Sequence, residues 1–285
     1  MINADMILEG GGLRGVFTSG VLDFLQEQEF YTSNVIGVSA GSCNALDYVS
    51  RQIGRTKRCI IPENEKEEYF GNLKKFVKEK SLFDMEKLFD TYPKKVYPFD
   101  FDTFFNSKMQ CEIVTTNCIT GKTEYMTERA DKDRLLKLSR ASSSLPFIAP
   151  IVNIDGIPYL DGGFTDAVPI RRALTYGNEK HVIILTRNPG YRKKAMSVAA
   201  AKILKSAYKK YPNFVYATRR RVHMYNQTME EIEQLEKDGK VFVIRPQVKT
   251  PGKLTKDAST LNAFYEHGYQ YMEKQYHNLK EYMEG

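Results

Sequence analysis

Two glycine-studded turns near the N-terminus constrain this chain more than any other feature. Gly10-Gly11-Gly12-Leu13-Arg14-Gly15 follows the apolar run Met6-Ile7-Leu8 and precedes a segment in which Val21, Leu22 and Leu25 share a helical face. Gly37-Val38-Ser39-Ala40-Gly41 repeats the plan. Val35 and Ile36 lead into it, and Gly41-Ser42-Cys43-Asn44-Ala45-Leu46 after it suits a helix start. Strand, turn and helix, twice in succession, is the alternation of an α/β domain.

A serine between two glycines at a strand end is presented outward on a sharp turn, and neighbours without a Cβ let the helix pack close and a substrate approach. That is the mechanical content of a nucleophile elbow, with Gly37 and Gly41 as its hinges and Ser39 as the candidate nucleophile. Acyl transfer also needs donors for the developing oxyanion. The loop Gly10, Gly11, Gly12, Leu13, Arg14, Gly15 is the candidate. Gly11, Gly12 and Leu13 can aim backbone N–H groups at one point, a helix N-terminus lies behind them, and Arg14 adds positive charge or locks the loop. Gly10, Gly12 and Gly15 equally satisfy the glycine fingerprint of dinucleotide-binding proteins. That reading expects an acidic residue near the end of the second strand, and none stands between Phe30 and Asp47.

The length of 285 residues favours one α/β domain with decorations, and 42% hydrophobic with 27% charged residues are ordinary for a soluble protein. No apolar stretch is long enough to span a bilayer. Because the glycine loop begins within ten residues of Met1, no leader peptide is expected, and the expected location is cytoplasmic, with peripheral contact at membranes. Cys43, Cys59, Cys111 and Cys118 show neither a C-x-x-C pair nor histidines at metal spacing, so buried reduced thiols are expected and no metal site is placed. The net charge of +7 is localised: between Arg187 and Met229 there are eleven Lys or Arg and no acidic residue. Solvated helix faces, an anionic membrane surface and nucleic acid all fit such a stretch. With no nucleic-acid-binding signature nearby, lipid is the better of the two functional readings.

Residues 55–110 read as an insertion. Glu65 to Lys80 is charged and helical, and the aromatics between Phe83 and Phe105 either line a pocket for an apolar chain or pack under a loop-rich cap. Cys111 to Asn117 reads as a strand paired with Thr123 to Thr127 across Gly121-Lys122. Leu135 to Leu138 lies in a short helix running into the small-residue loop Ser142-Ser143-Ser144. Asp155-Gly156 marks a hairpin. The returning strand delivers Asp161 into Gly162-Gly163. His181 to Thr186 and Val241 to Pro246 read as strands, with basic helices between them, and Ser259 to Met283 closes the chain as a tyrosine-rich amphipathic helix.

A serine hydroxyl needs a base. None of the four histidines is flanked by loop chemistry, whereas Asp161 is, and burial strengthens a carboxylate as a base. Asp161 as a turn cap on the Gly163 N–H is the lesser alternative, and Asp166 reads as a cap before Val168-Pro169.

The three stretches Gly10–Gly15, Gly37–Gly41 and Asp161–Gly163, in this order, resemble the patatin-like phospholipase family of the bacterial type, and the small-residue loop Ala141 to Pro150 resembles the segment ahead of its D-G-G motif. Ala167 stands where many members carry Asn. The resemblance implies a three-layer α/β/α fold with a central, mostly parallel sheet. It also implies a Ser39–Asp161 dyad without histidine, and hydrolysis of lipid acyl esters with no metal or organic cofactor. The expected organisation is a catalytic core over 1–190 with the insertion at about 55–110, and a basic helical region over 191–285 completing the same domain. The partners expected are a lipid or ester substrate and an anionic membrane surface through 187–229, not nucleic acid. The alternatives are a catalytically silent lipid-binding scaffold and a dinucleotide-binding protein.

Overall fold

The computed structural model describes residues 1–64, 68–70, 81–252 and 254–285. The helix expected over Glu65 to Lys80 falls mostly outside them. The described strands are β1 (Ile2–Leu8), β2 (Thr32–Val38), β3 (Gln110–Asn117), β4 (Thr123–Met126), β5 (Val152–Ile154), β6 (Ile157–Asp161), β7 (His181–Ile184) and β8 (Phe242–Ile244). They form one sheet in the order β5-β6-β3-β2-β1-β7-β8, with β4 on the side of β3. The run from β3 through β2, β1 and β7 to β8 is parallel, while β4, β6 and β5 attach antiparallel.

Alternation along the central strands builds two cores. Met6 and Leu8 of β1, with Val182 and Ile184 of β7, point into one. Ile7 and Ile183 point into the other. Strands buried on both faces read as continuous apolar runs, which is why His181 to Ile184 carries no polar alternation. The first face is covered by α1 (Gly15–Glu27), α2 (Ala40–Val49), α5 (Lys132–Ser142) and α9 (Ala258–Glu284), through Phe17, Tyr48, Leu135 and Phe264 among others. The second face is covered by the short α6 (Ile170–Ala173) and the long α8 (Pro212–Lys237), through Tyr225, Met229 and Ile232. The result is a three-layer α/β/α fold about a mostly parallel sheet. A third cluster joins α7 (Val198–Ala207) and the start of α8 to the outer edge, where Leu204, Tyr208 and Phe214 meet Leu160 and Phe164.

Local signals explain the element ends. Asp131 accepts the Arg134 N–H at 3.0 Å to start α5, and Asp257 accepts the Thr260 N–H at 2.8 Å to start α9. Asp155 and Gly156 both adopt positive φ (52° and 80°) between β5 and β6, as a two-residue hairpin turn demands.

The insertion contributes α3 (Arg55–Ile60), a π-helical stretch (Lys87–Val96) and α4 (Phe101–Asn106). Its aromatics divide between the two readings. Tyr92, Tyr97, Phe99 and Phe104 are buried in the core, while Phe83 and Phe89 line a crevice beside Ser39. The cysteines divide as well: Cys111 and Cys118 are buried, whereas Cys43 and Cys59 are only half-buried and face that crevice, and all four are free thiols. Among the described residues no helix is long and apolar enough to cross a membrane.

Candidate active site

Ser39 leaves β2 with φ 57° and ψ −125°, outside the basins that L residues prefer. Such backbone strain costs about 1–3 kcal/mol, and the surrounding contacts hold it in place. The Ser39 N–H donates to Ser142 Oγ at 2.9 Å, and Ser142 Oγ donates in turn to the Val114 carbonyl at 2.7 Å. The Ser39 carbonyl accepts from Ser42 N at 2.8 Å and Ser42 Oγ at 2.6 Å. Ser142 is therefore the strut that braces the turn from β3, a role unread in the sequence although the run of small residues at 142–144 marked the place. A Cβ on Gly37 would lie 2.4 Å from the Gly41 carbonyl oxygen, and one on Gly41 would lie 2.4 Å from that of Leu8, so close backbone packing requires both hinges.

Asp161 ends β6 on the far side of β3. Val38 pairs with Val114 and Asp161 with Thr115, so Ser39 and Asp161 stand at one level. Two strand spacings separate their backbones, about 10 Å. Both residues line one cavity of about 570 Å³. Asp161 Oδ1 accepts the Gly163 N–H at 2.8 Å, and the Asp161 carbonyl accepts from Thr116 Oγ1 at 2.8 Å. The turn-cap bond weighed for Asp161 thus exists, and it orients the carboxylate at the cavity wall. Asp166 turns away to accept the Tyr125 hydroxyl at 2.7 Å.

The glycine loop forms the opposite wall. Gly12–Arg14 is one turn of 3-10 helix ahead of α1, and Gly10, Gly11, Gly12 and Arg14 line the cavity. Two members of the loop stand apart from the cavity lining. Leu13 faces the apolar crevice rather than the cavity. The Gly15 N–H closes on the Gly12 and Leu13 carbonyls, and its Cα face sits where a Cβ would be 2.8 Å from Ala40 Cβ, so Gly15 packs the two turns together and donates to no oxyanion.

Ser39 stands where two spaces of opposite character meet, since it lines the apolar crevice as well as the cavity. The crevice is walled among others by Leu13, Ile60, Tyr69, Phe83, Leu88 and Phe89, and Gly12 and Leu145 belong to both spaces. The cavity is strongly cationic. Arg14, Arg187, Arg192, Lys193, Lys194, Arg219 and Arg221 line it against the two carboxylates of Glu9 and Asp161. Arg14 is buried, and burial together with repulsion from Arg187 holds its guanidinium below the usual value, at about 10. Burial likewise lowers Arg221, partly offset by Asp161, while Arg221 Nε donates to the Gly163 carbonyl at 2.7 Å and the guanidinium covers the Phe164 ring at 4.1 Å. Part of the basic stretch, Arg187, Arg192, Lys193 and Arg221, is therefore half-buried at this cavity.

Among the described residues no histidine lines either space. His181 is buried at the opposite end of its strand, its Nδ1 2.8 Å from Asp5 Oδ2. Among the described residues no three His, Cys, Asp or Glu side chains gather as a metal-holding group.

A parallel-centred α/β/α sandwich with a strained G-x-S-x-G serine, an adjoining G-G-G-x-R-G loop and a D-G-G aspartate at the same sheet level defines a class, and residues 6–174 match the family model for patatin-like phospholipases. The chain belongs to the patatin-like phospholipase family. Residues 211–284 match a domain of unknown function, DUF6363. The uncharacterized protein YjjU of Escherichia coli (strain K12) is 32% identical over 188 residues, covering 64% of this chain and 51% of YjjU, so the chain spans about half the length of that relative. VipD from Legionella pneumophila, a solved structure, shares the fold at a TM-score of 0.51 and 13% identity, over 96% of this chain and 66% of VipD's.

Proposed function

We propose that the protein is a lipid acyl hydrolase in which Ser39 is the nucleophile and Asp161 the general base. The observation that carries this reading is the position of Ser39. A strained serine, at one sheet level with a carboxylate, sits where a cationic cavity and an apolar crevice share a wall. An ester with an apolar acyl chain and a polar alcohol fits that division, its carbonyl carbon over Ser39 Oγ.

In the first step Asp161 accepts the Ser39 hydroxyl proton as Oγ bonds to the carbonyl carbon, and the oxyanion collects donors from the Gly10–Leu13 loop. Collapse of the tetrahedral intermediate breaks the carbon–oxygen bond to the alcohol, which leaves with the proton held by Asp161. Water then gives a proton to Asp161 and its oxygen to the acyl carbon, and the fatty acid departs as the serine regains its hydrogen.

Labelling with a fluorophosphonate probe tests the nucleophile. Wild-type protein is expected to react at Ser39, and Ser39→Ala to be silent. Ser39→Ala and Asp161→Asn are each expected to lower hydrolysis of p-nitrophenyl butyrate by about 10²-fold or more, with thermal unfolding within a few degrees of wild type. Turnover retained in either variant would refute the dyad, and no labelling of folded wild-type protein would favour the silent lipid-binding scaffold.

A further inference from the structure

The cavity wall facing the glycine loop comes from α8, inside the stretch that matches a domain of unknown function. Thr218, Arg221, Val222 and Tyr225 follow one another at helical steps, so one face of α8 lines the cavity. That face is built in rather than laid on the surface. Tyr225 is buried, its hydroxyl donates to Glu9 Oε1 at 2.9 Å, and Arg221 is tied to Gly163.

The charge in this space is unbalanced. Glu9 is occupied by Tyr225 and by Thr186, whose N–H and Oγ1 donate to Oε2 at 2.7 and 3.1 Å. Arg192 is matched by Glu233 at 2.6 Å. Among the described residues no carboxylate stands within ion-pair distance of Arg14, Arg187, Arg219 or Arg221, and Arg14 Nε is buried with no acceptor. Guanidinium groups gathered in a half-enclosed space that only the carboxylates of Glu9 and Asp161 share repel one another, and the buried ones lose hydration. A phosphate answers both, because its oxygens accept from the planar donor forks and its charge offsets theirs.

We propose that the cavity binds the phosphate of an anionic phospholipid, with α8 supplying Arg221 and Arg219 as part of the phosphate contact. The proposal rests on the hydrolase reading: with the ester carbonyl at Ser39 and the acyl chain in the apolar crevice, the alcohol portion lies in the cationic cavity. A headgroup that carries its own ammonium, such as choline, would set a cation among guanidiniums and is disfavoured.

Dihexanoyl phospholipids kept below their micelle concentration test this without any membrane surface, which separates recognition in the cavity from attraction of the basic exterior to vesicles. The readout is the ratio of kcat/KM for dihexanoyl-phosphatidylglycerol to that for dihexanoyl-phosphatidylcholine. Wild type is expected to show a ratio of about ten or more, and Arg187→Gln, Arg219→Gln and Arg221→Gln to bring it toward one, with Arg221→Lys retaining part of it. A wild-type ratio near one, or variants that slow both substrates in parallel, would overturn the proposal. If wild type hydrolyses no ester, the hydrolase reading has failed by itself, and calorimetry decides about the cavity. Glycerol 3-phosphate binding that weakens about tenfold in Arg221→Gln supports the phosphate site, and no binding to wild type sinks it.

Discussion

Ser39 shows how much a single residue can demand of its neighbours. Its positive φ keeps the side chain at the tip of the turn, and the two bonds through Ser142 and Ser42 hold it there. Gly10 is the neighbour that presses on the serine side chain itself, since a Cβ placed there would stand 2.9 Å from both Ser39 Cβ and the Val38 carbonyl oxygen. Gly10→Ala is therefore expected to push the elbow off its geometry, cutting the rate of fluorophosphonate labelling at Ser39 about tenfold or more while costing only about 1–3 kcal/mol of stability. Paired labelling kinetics and urea melts would check it, and labelling at the wild-type rate would mean that the turn tolerates the methyl. At this scale the sequence was highly legible. A serine between glycines and a carboxylate before Gly162-Gly163 announce themselves because the turns that present them are local and use few residue types. Arg221 did not announce itself, since one arginine in a basic helix looks like another until the helix is rotated into place.

Among the elements, the pairing of α1 with α9 depends on two glycines. A Cβ on Gly20 would fall 2.2 Å from the Tyr265 carbonyl oxygen, and one on Gly268 would fall 2.3 Å from that of Phe17. The helices touch backbone to backbone there, with Phe17 packed on Phe264 at 5.4 Å between ring centres and Phe24 edge-on to Tyr269 at 5.4 Å. Gly268→Ala should force the helices apart and lower stability by about 1–3 kcal/mol, read as a fall in the denaturation midpoint at constant m-value. No change in midpoint would mean that α9 can slide to accept the methyl. The apolar face of α9 was legible from its spacing, but its partner was not, because periodicity reports that a face is buried and not against what. The same limit applied to α8, whose basic residues read as a surface stripe although one face of it closes the cavity.

For the whole molecule, the two ends of the chain are tied through a buried carboxylate. Asp23 on α1 accepts from the Tyr265 hydroxyl of α9 at 2.9 Å and from the Gly54 N–H at 3.0 Å, and burial raises its carboxyl from 3.8 to about 6 despite those bonds. A carboxyl whose folded value lies above its unfolded one binds its proton more tightly when folded. Its stabilising contribution is full below about pH 4 and is lost as pH rises through about 6. The shift corresponds to about 3 kcal/mol across that window. Asp23→Asn, which keeps one acceptor oxygen for the Gly54 N–H and turns its amide N–H toward the Tyr265 hydroxyl oxygen, is expected to remove that slope from the stability profile between pH 4 and 7. An unchanged profile in the variant would show that Asp23 does not titrate there.

From the sequence alone came the parallel-centred α/β class, the candidate serine and aspartate, and most strands and helices, because strand alternation, helical spacing and turn glycines act over a few residues and leave local marks. Tertiary structure alone decided that Ser142 braces the elbow, that Gly15 leaves the oxyanion loop for packing, and that part of the basic stretch lines a cavity. Each of these depends on residues brought together across the sheet, and chain connectivity does not encode which faces of separate elements will meet.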